Sequence, residues 1–592
     1  MIKLEDRLKM SRLDTQIDFN ESGPPLNVPQ TGPRKWTLNK DTSILIADQQ
    51  SVSHRKIIRR WNRLSRLQRS IVYALFVIGV TILILLYLAK AKADMKRENL
   101  SELGLESLKN VSLVNEQAPD GMVPKKPVVD IELNERPIFT GPQNARQYAV
   151  VESFRHAWRG YKQHAWGHDN LKPVSGMAAE WFSLGLTIVD SLDTAYIMRL
   201  TEEFEEGKQW IKDELVFTKN KDVNFFEVTI RVLGGLLSCY HFSQDEMFLN
   251  KATDLGDRLM AAFSSPSGIP YSDVNLGTKT AHAPEWSHYS TTAEVTTVQL
   301  EFRELSRASG NPAFEDAAAA VSEKIHHLPK KHGLVPIFIN PNSGHFLPHA
   351  TITLGARGDS YYEYLLKQWI QTGKTINYLL DDYLTAIEGV RQFLAKRSSP
   401  NKLLFIGELS AGSEAFNPKM DHLTCFLPGT LALGHANGLP DWHMTMAEEL
   451  MNTCYLTYAA HPTFLAPEIT HFNLASTTED MYTKTADAHT LLRPEFVESL
   501  WYMYQITGNT TYQDWGWQIF QGFEKYAKVP WGYTSLANVK TEKPVQRDMM
   551  ESFFLSETLK YMYLLFSDDR FIVDLNKYVI NSEAHPLPIH KN

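Results

Sequence analysis

Three cysteines in 592 residues are too few for a disulfide scaffold. The short motifs of several common chemistries are also missing: there is no H-E-x-x-H zinc helix, no G-x-S-x-G elbow and no Cys-x-x-Cys pair. Gly373-Lys374-Thr375 imitates the end of a phosphate-binding loop, but the glycine such a loop needs five residues before Gly373 is Gln368. A net charge of −8 gives no electrostatic footing for nucleic acid. With 43% hydrophobic and 22% charged residues, the chain is not collagen, a coiled-coil rod or wholesale disorder.

What is present is unevenly spread. Residues 1–70 hold 14 Lys+Arg against 7 Asp+Glu, so the rest of the chain carries a net charge of −15. Between these regions lie nineteen residues without a charge, IVYALFVIGVTILILLYLA over 71–89. As a helix they would be about 28 Å long, matched to the roughly 30 Å of bilayer hydrocarbon. The stretch has no polar face, and about 70 residues precede it, unlike a cleaved signal peptide. Arg55, Lys56, Arg59, Arg60, Arg63, Arg66 and Arg69 on its N-terminal side put that side in the cytosol. The expectation is a single-pass type II protein: a basic cytosolic tail over 1–70, a signal-anchor helix over 71–89 and a lumenal stem over 90–143. The stem is polar and carries Pro119, Pro124, Pro127, Pro137 and Pro142. Asn99, Asn110 and Asn509 open candidate N-glycosylation sequons.

From residue 144 to 592 helical patterns dominate and alternating strand patterns are scarce. HFSQDEMFLNKA, SRASGNPAFEDAA and YQITGNTTYQDWG share a helix end, a polar turn and an aromatic entering the next helix. Those aromatics, Phe248, Phe314 and Tyr512, are spaced by 66 and by three times 66 residues. The spacing predicts about seven helix pairs, which either an open solenoid or a closed barrel would satisfy.

The candidate chemistry is acidic. Glu227 and Arg231 stand four apart in FFEVTIR, on one helix face. GARGDSYY sets Arg357 and Asp359 beside two tyrosines, and Glu468, Glu495 and Glu498 follow prolines in APE and RPEFVE. NSEAHP carries Ser582 and Glu583. Each has a plain structural reading: Glu227/Arg231 as an i,i+4 ion pair, Glu495 and Glu498 as helix N-terminal acids. Together they describe an acidic pocket with aromatic walls, suited to a sugar or a cation. Glycoside hydrolysis demands such an inventory, because one carboxyl protonates the leaving oxygen while a second activates water or attacks carbon.

These motifs resemble class I α-1,2-mannosidases, glycoside hydrolase family 47, across about 440 residues. The resemblance is carried by HAWRGYKQHAWGHDNLKP, LTIVDSLDTAYIM, FEVTIRVLGGLLSCYH, TTAEVTTVQLEFRELSR, GARGDSYYEYLLKQW, DHLTCFLPG, LRPEFVESL, ESFFLSETLKY and NSEAHPLP, in order. It implies an all-α fold, an (αα)7 barrel over 144–592 behind the transmembrane helix. It implies Ca²⁺-dependent, inverting hydrolysis, with acid and base about 6.5–9.5 Å apart. Glu227 would donate the proton, directly or through water, and Glu495 would be the base; Asp359 and Glu468 complete the catalytic carboxylates, and the sequence leaves open which of them delivers the proton. Arg231, Glu294, Arg357, His422, Glu498, Phe553, Glu557 and Glu583 would line the sugar subsites. Ca²⁺ would rest on Ser582, where family members usually carry Thr; serine keeps both oxygens. The family's disulfide would join Cys425 to Cys454 and leave Cys239 free.

Arg357 resembles the residue of endoplasmic-reticulum members, which remove one mannose from the middle branch of the nine-mannose glycan. Golgi members carry a smaller or apolar residue there and trim several. The expected substrate is therefore a high-mannose N-glycan, in the endoplasmic-reticulum lumen or alternatively the Golgi. A lectin-like receptor on the same barrel and a membrane-anchored scaffold are the rival readings. The presence of every expected carboxylate favours the enzyme.

Overall fold

Asn144 starts the helical domain by accepting the Gln147 N–H on its side chain, an N-cap for α1, Ala145–His164. The computed structural model describes residues 137–590. The tail, the anchor over 71–89, nearly all of the stem and the sequons at Asn99 and Asn110 lie outside the described residues. No helix among the described residues is long and apolar enough to cross a membrane. The last stem residues already touch the domain: Phe139 is buried, edge-on to Tyr196 and Phe242, and its carbonyl accepts from Arg199.

After α1 the chain runs through α2 (Leu186–Ile197), α3 (Thr201–Asp213), α4 (Gly234–Ser243), α5 (Glu246–Leu259), α6 (Gln299–Ser309) and α7 (Ala313–His327). It continues through α8 (Asp359–Gln371), α9 (Asn377–Gly389), α10 (Leu427–Ala436), α11 (Trp442–Ala459), α12 (Glu495–Thr507), α13 (Thr511–Gly522) and α14 (Leu559–Leu565). The composition of each helix fixes its layer. In α4 every residue from Gly234 to Phe242 is buried, as a helix apolar all round must be. In α5 only the stripe Phe248, Leu249, Ala252, Leu255, Gly256 and Leu259 is buried, the mark of a helix with one face in solvent. Pairs α2/α3, α4/α5, α6/α7, α8/α9, α10/α11 and α12/α13 follow, and α14 takes α1 as its partner.

The even-numbered helices form the inner ring. Each packs on the next from α2 to α14, and the π turn Phe554–Thr558 ahead of α14 packs back on α2, closing the ring. The repeated aromatics Phe248, Phe314 and Tyr512 are buried near the starts of outer helices α5, α7 and α13. The turns before them carry a left-handed residue, Gln244, Gly310 or Gly508, which ends the inner helix.

Strands are two to four residues long, too short to give an alternating pattern. Two small antiparallel sheets flank the inner helices' N-terminal ends: β1 (Asp222–Asn224), β2 (Asp273–Asn275) and β3 (Thr280–His282), and β4 (Lys419–Asp421), β5 (Ile469–Phe472) and β6 (Met481–Tyr482). A last hairpin, β7 (Tyr578–Ile580) and β8 (Pro586–Pro588), packs on α4, α6 and α8 and pushes its loop into the ring. Gly234 and Gly235 permit this approach. A Cβ at Gly234 would stand 2.7 Å from Asn581 Nδ2; one at Gly235 would stand 3.3 Å from the His585 ring and 2.7 Å from the Val189 carbonyl of α2.

Cys425 and Cys454 are joined in a disulfide with Cα atoms 6.1 Å apart, tying the entrance of α10 to α11, and Cys239 is a buried thiol.

Candidate active site

A cavity of about 250 Å³ opens among the inner helices, and their first turns supply most of its wall. Asp359 and Glu495 are the first residues of α8 and α12. Glu227 lies in the turn Phe225–Val228 that leads through a π turn, Thr229–Leu233, to α4. The π turns place Arg231 and Glu557 on the wall, a use of π geometry common at functional sites. From the opposite direction, the β7–β8 loop brings Ser582 and Glu583 to the floor. Eleven of the residues singled out from sequence line this one cavity: Glu227, Arg231, Glu294, Arg357, Asp359, Glu495, Glu498, Phe553, Glu557, Ser582 and Glu583.

His422 and Glu468 stand one contact behind. His422 Nδ1 is 2.9 Å from Glu495 Oε2, and its Nε2 is 2.7 Å from the Tyr458 hydroxyl. Glu468 accepts from the Leu491 N–H at 2.9 Å and from Arg493 Nε at 2.5 Å, and its backbone carbonyl accepts from the His422 N–H. Arg493 also lies 3.9 Å from Glu495 and over the Phe553 ring at 5.7 Å. Arg231 also lies over the Phe553 ring, 5.7 Å from its centroid. Arg231 donates to Glu227 at 2.8 Å and to Glu583, and approaches Asp190 at 3.6 Å.

Electrostatics separate the carboxyls. Burial acts to raise Glu495, but the hydrogen bond and charge of His422 and the Arg493 guanidinium hold it below the ordinary carboxylate value. Among the described residues no cation pairs with Asp359. Burial pushes it up to about 8; the Ser360 N–H opposes this, while Glu363, Glu495 and Asp421 add repulsion. Burial also lifts Glu294 to about 7 and Glu498 to about 8, the latter against the attraction of Lys367. Glu557 and Glu583 are raised well above the ordinary range, chiefly by burial. One ionised carboxylate therefore shares a small cavity with several carboxyls that hold protons near neutrality, the division of labour that acid–base chemistry needs.

Sequence reasoning missed Glu363, Lys367 and Arg493 as site residues. Glu363 lines the cavity 3.3 Å from the Ser582 hydroxyl, and Lys367 ties it at 2.5 Å. For Glu363 and Lys367 the signal lay in the four-residue rhythm Asp359, Glu363, Lys367 within a helix whose other residues are mostly aromatic and aliphatic. Beneath the floor, His585 lies between Asp190 and Asp193 at 3.3 and 2.9 Å, and Lys560 reaches Asp193 at 2.9 Å. Asn509 is exposed in the turn between α12 and α13.

The glycosyl hydrolase family 47 model matches residues 153–589. The chain is 58% identical over 453 residues to the rat endoplasmic reticulum mannosyl-oligosaccharide 1,2-alpha-mannosidase, spanning 76% of this chain and 69% of the rat protein. The human protein of the same description is 58% identical over 451 residues, 75% of this chain and 64% of its own length. Among solved structures, the α-1,2-mannosidase from Trichoderma reesei superposes with a TM-score of 0.71 at 26% identity, covering 76% of this chain and all of that one.

Proposed function

The chain belongs to glycosyl hydrolase family 47, and from that premise we propose that it removes terminal α-1,2-linked mannose from high-mannose N-glycans by Ca²⁺-dependent inverting hydrolysis. It is a glycoside hydrolase. The finer reading is one mannose taken from the middle branch of the nine-mannose glycan, in the lumen of the endoplasmic reticulum behind the 71–89 anchor. Relatives named for that compartment and Arg357 at the cavity wall support it.

The observation that carries the mechanism is the opposition of Glu495 and Asp359 in one cavity. Glu495, kept ionised by His422 and Arg493, takes a proton from the attacking water. His422 fixes the carboxylate's orientation, and Tyr458 in turn fixes the imidazole. Asp359, raised to about 8, holds a proton at neutral pH and gives it to the leaving oxygen. Glu227, tied to Arg231, then orients the leaving side through sugar hydroxyls or a water. Glu468 acts through Arg493. Phe553 lines the cavity and holds the guanidinium groups of Arg231 and Arg493 against its ring, ready to donate to sugar hydroxyls.

The cavity floor suits Ca²⁺. Ser582 donates from its hydroxyl to Glu363 at 3.3 Å and from its N–H to the Tyr364 hydroxyl at 3.2 Å, so its hydrogen-bond partners are oxygens. Among the described residues no group of three His, Cys, Asp or Glu is arranged to hold a metal by itself. Ser582, through its hydroxyl and carbonyl, with waters completing the shell, is the natural holder for an ion that takes six to eight oxygens. When bound, the ion supplies positive charge to which sugar hydroxyls can be anchored.

The test is digestion of the nine-mannose glycan by the full chain, with Ca²⁺ and with chelator, followed by proton NMR. Initial β-mannose from the middle branch, lost on chelation, is the expected result. A folded protein that binds the glycan and releases nothing would overturn the reading and favour a lectin.

A further inference from the structure

Arg357 is held in an unusual way. It is a non-glycine residue in the left-handed region, φ 75°, and its carbonyl accepts the Ala293 N–H at 3.0 Å. Its guanidinium carbon stands 5.1 Å from the ring centre of Trp286 and 5.8 Å from that of Phe338. No ion pair or side-chain hydrogen bond ties it to a described residue, so its five N–H donors are uncommitted. The two aromatic rings hold each other as well, with centroids 6.2 Å apart at 56°. Phe338 is fixed from behind by the pairing of its strand with Ser290–Thr291 and by Tyr289, 6.5 Å away. Trp286 is different: it is 61% exposed, among the most exposed large apolar residues of the described chain. A lone exposed apolar side chain needs no explanation. An exposed indole stacked on a cavity-lining arginine at the rim of a sugar site does.

We propose that Trp286 is a specificity residue, which positions Arg357 from one face of its ring and receives from the other a mannose ring of a branch that is not being cut. The inference rests on the reading of the cavity as a mannosidase site. The chemistry is complementary. A pyranose presents C–H groups on one face, which pack on the open face of the indole, while Arg357 on the indole's other face keeps its N–H donors for hydroxyls of a neighbouring mannose inside the cavity. Trp286 and Arg357 thereby read two sugars of the branched glycan at once. Stacking also removes rotamer freedom from a long side chain before substrate arrives, so less is lost when it binds. Trp286 lines none of the catalytic wall, so it acts on which branch enters and how firmly, and on the bond being cut only through Arg357.

The experiment compares Trp286→Ala, Trp286→Phe, Arg357→Ala and the double variant on two substrates, the nine-mannose glycan and α-1,2-mannobiose. For Trp286→Ala, the ratio of kcat/KM for the glycan to that for the disaccharide should fall by between about twofold and thirtyfold, the range of cation–π strengths. The fall should appear mainly in KM, with loss of preference for a single branch, and Trp286→Phe should restore part of it. In the double-mutant cycle, loss of Trp286 should cost less once Arg357 is gone. Phe571→Ala, 55% exposed and remote from the cavity lining, serves as a control expected to match wild type on both substrates. An unchanged ratio and product profile in Trp286→Ala would overturn the proposal, and fully additive effects would remove the positioning role. Absence of hydrolysis of either substrate by the wild-type chain would instead strike the mannosidase reading itself.

Discussion

Replacing Arg493 by Met tests the electrostatic argument most directly. Arg493 lies 3.9 Å from Glu495 and 2.5 Å from Glu468, and the side chains are 23%, 14% and 12% exposed. At such a separation a pair of unit charges is worth up to about 4 kcal/mol at an effective dielectric of 20. Methionine keeps most of the volume over Phe553 but leaves two largely buried carboxylates facing each other without their cation. His422 still stabilises the ionised form of Glu495, so only part of that energy is lost. The sign is fixed: Glu495 sits below its ordinary value because cations favour the carboxylate, and losing one raises it. A base must be ionised, so the acid limb of the pH–rate profile moves upward. If one third of the Coulomb energy is forfeited, about 1.4 kcal/mol, the midpoint of the acid limb of kcat/KM rises by about one pH unit in the variant, and the two profiles differ about tenfold only below both midpoints. Arg493→Lys should recover much of the difference. The assay is initial mannose release across pH 4–8, with near-UV circular dichroism confirming a native fold at each pH. A folded, active Met variant whose acid limb coincides with wild type would refute the assignment of Glu495 as a base held down by Arg493.

Other expectations follow from the same geometry. Glu495→Gln should lower kcat by at least about a hundredfold while preserving glycan affinity measured by calorimetry; retained turnover would remove Glu495 as the base. If Asp359 is the acid, wild-type kcat falls about tenfold per unit above pH 8, because deprotonation removes the donor, whereas a flat profile to pH 10 would exclude it. Ser582→Ala should require more Ca²⁺ for half-maximal activity and Ser582→Thr no more than wild type; equal requirements would move the ion elsewhere. Breaking the Cys425–Cys454 bridge, which closes a separation of 29 residues, should lower stability by about 3.6 kcal/mol in the chain-entropy model, read as an earlier denaturant midpoint.

Much of this molecule is legible in its sequence, for identifiable reasons. Helix pairs announce themselves where an outer helix starts with a buried aromatic after a left-handed turn, as Phe248, Phe314 and Tyr512 do in three of them. Ring closure is not legible, because nothing in the local pattern of α1 says that it packs on α14. The cavity acids stand out because a carboxylate within apolar sequence has to be justified. Glu227/Arg231 shows the limit of that signal: it is a real ion pair at 2.8 Å, as the plain reading held, and it also lines the cavity. Distinguishing the two needed the third partner, Glu583, 352 residues away. Glu363 and Lys367 escaped because charges four apart on a helix read first as surface, and only the ring places that face inward.

The way the ring is shut has a mechanical corollary. Six helix pairs are stitched by their own covalent turns, whereas α14 and α1 meet through side chains: Asn144 to the Phe566 carbonyl, Gln147 to the Tyr563 carbonyl, and Arg146 over Phe566. A barrel with one unsewn seam resembles a split collar. Force or heat will prise it apart there first, and amides of α1 will be the earliest of the helical amides to exchange with solvent.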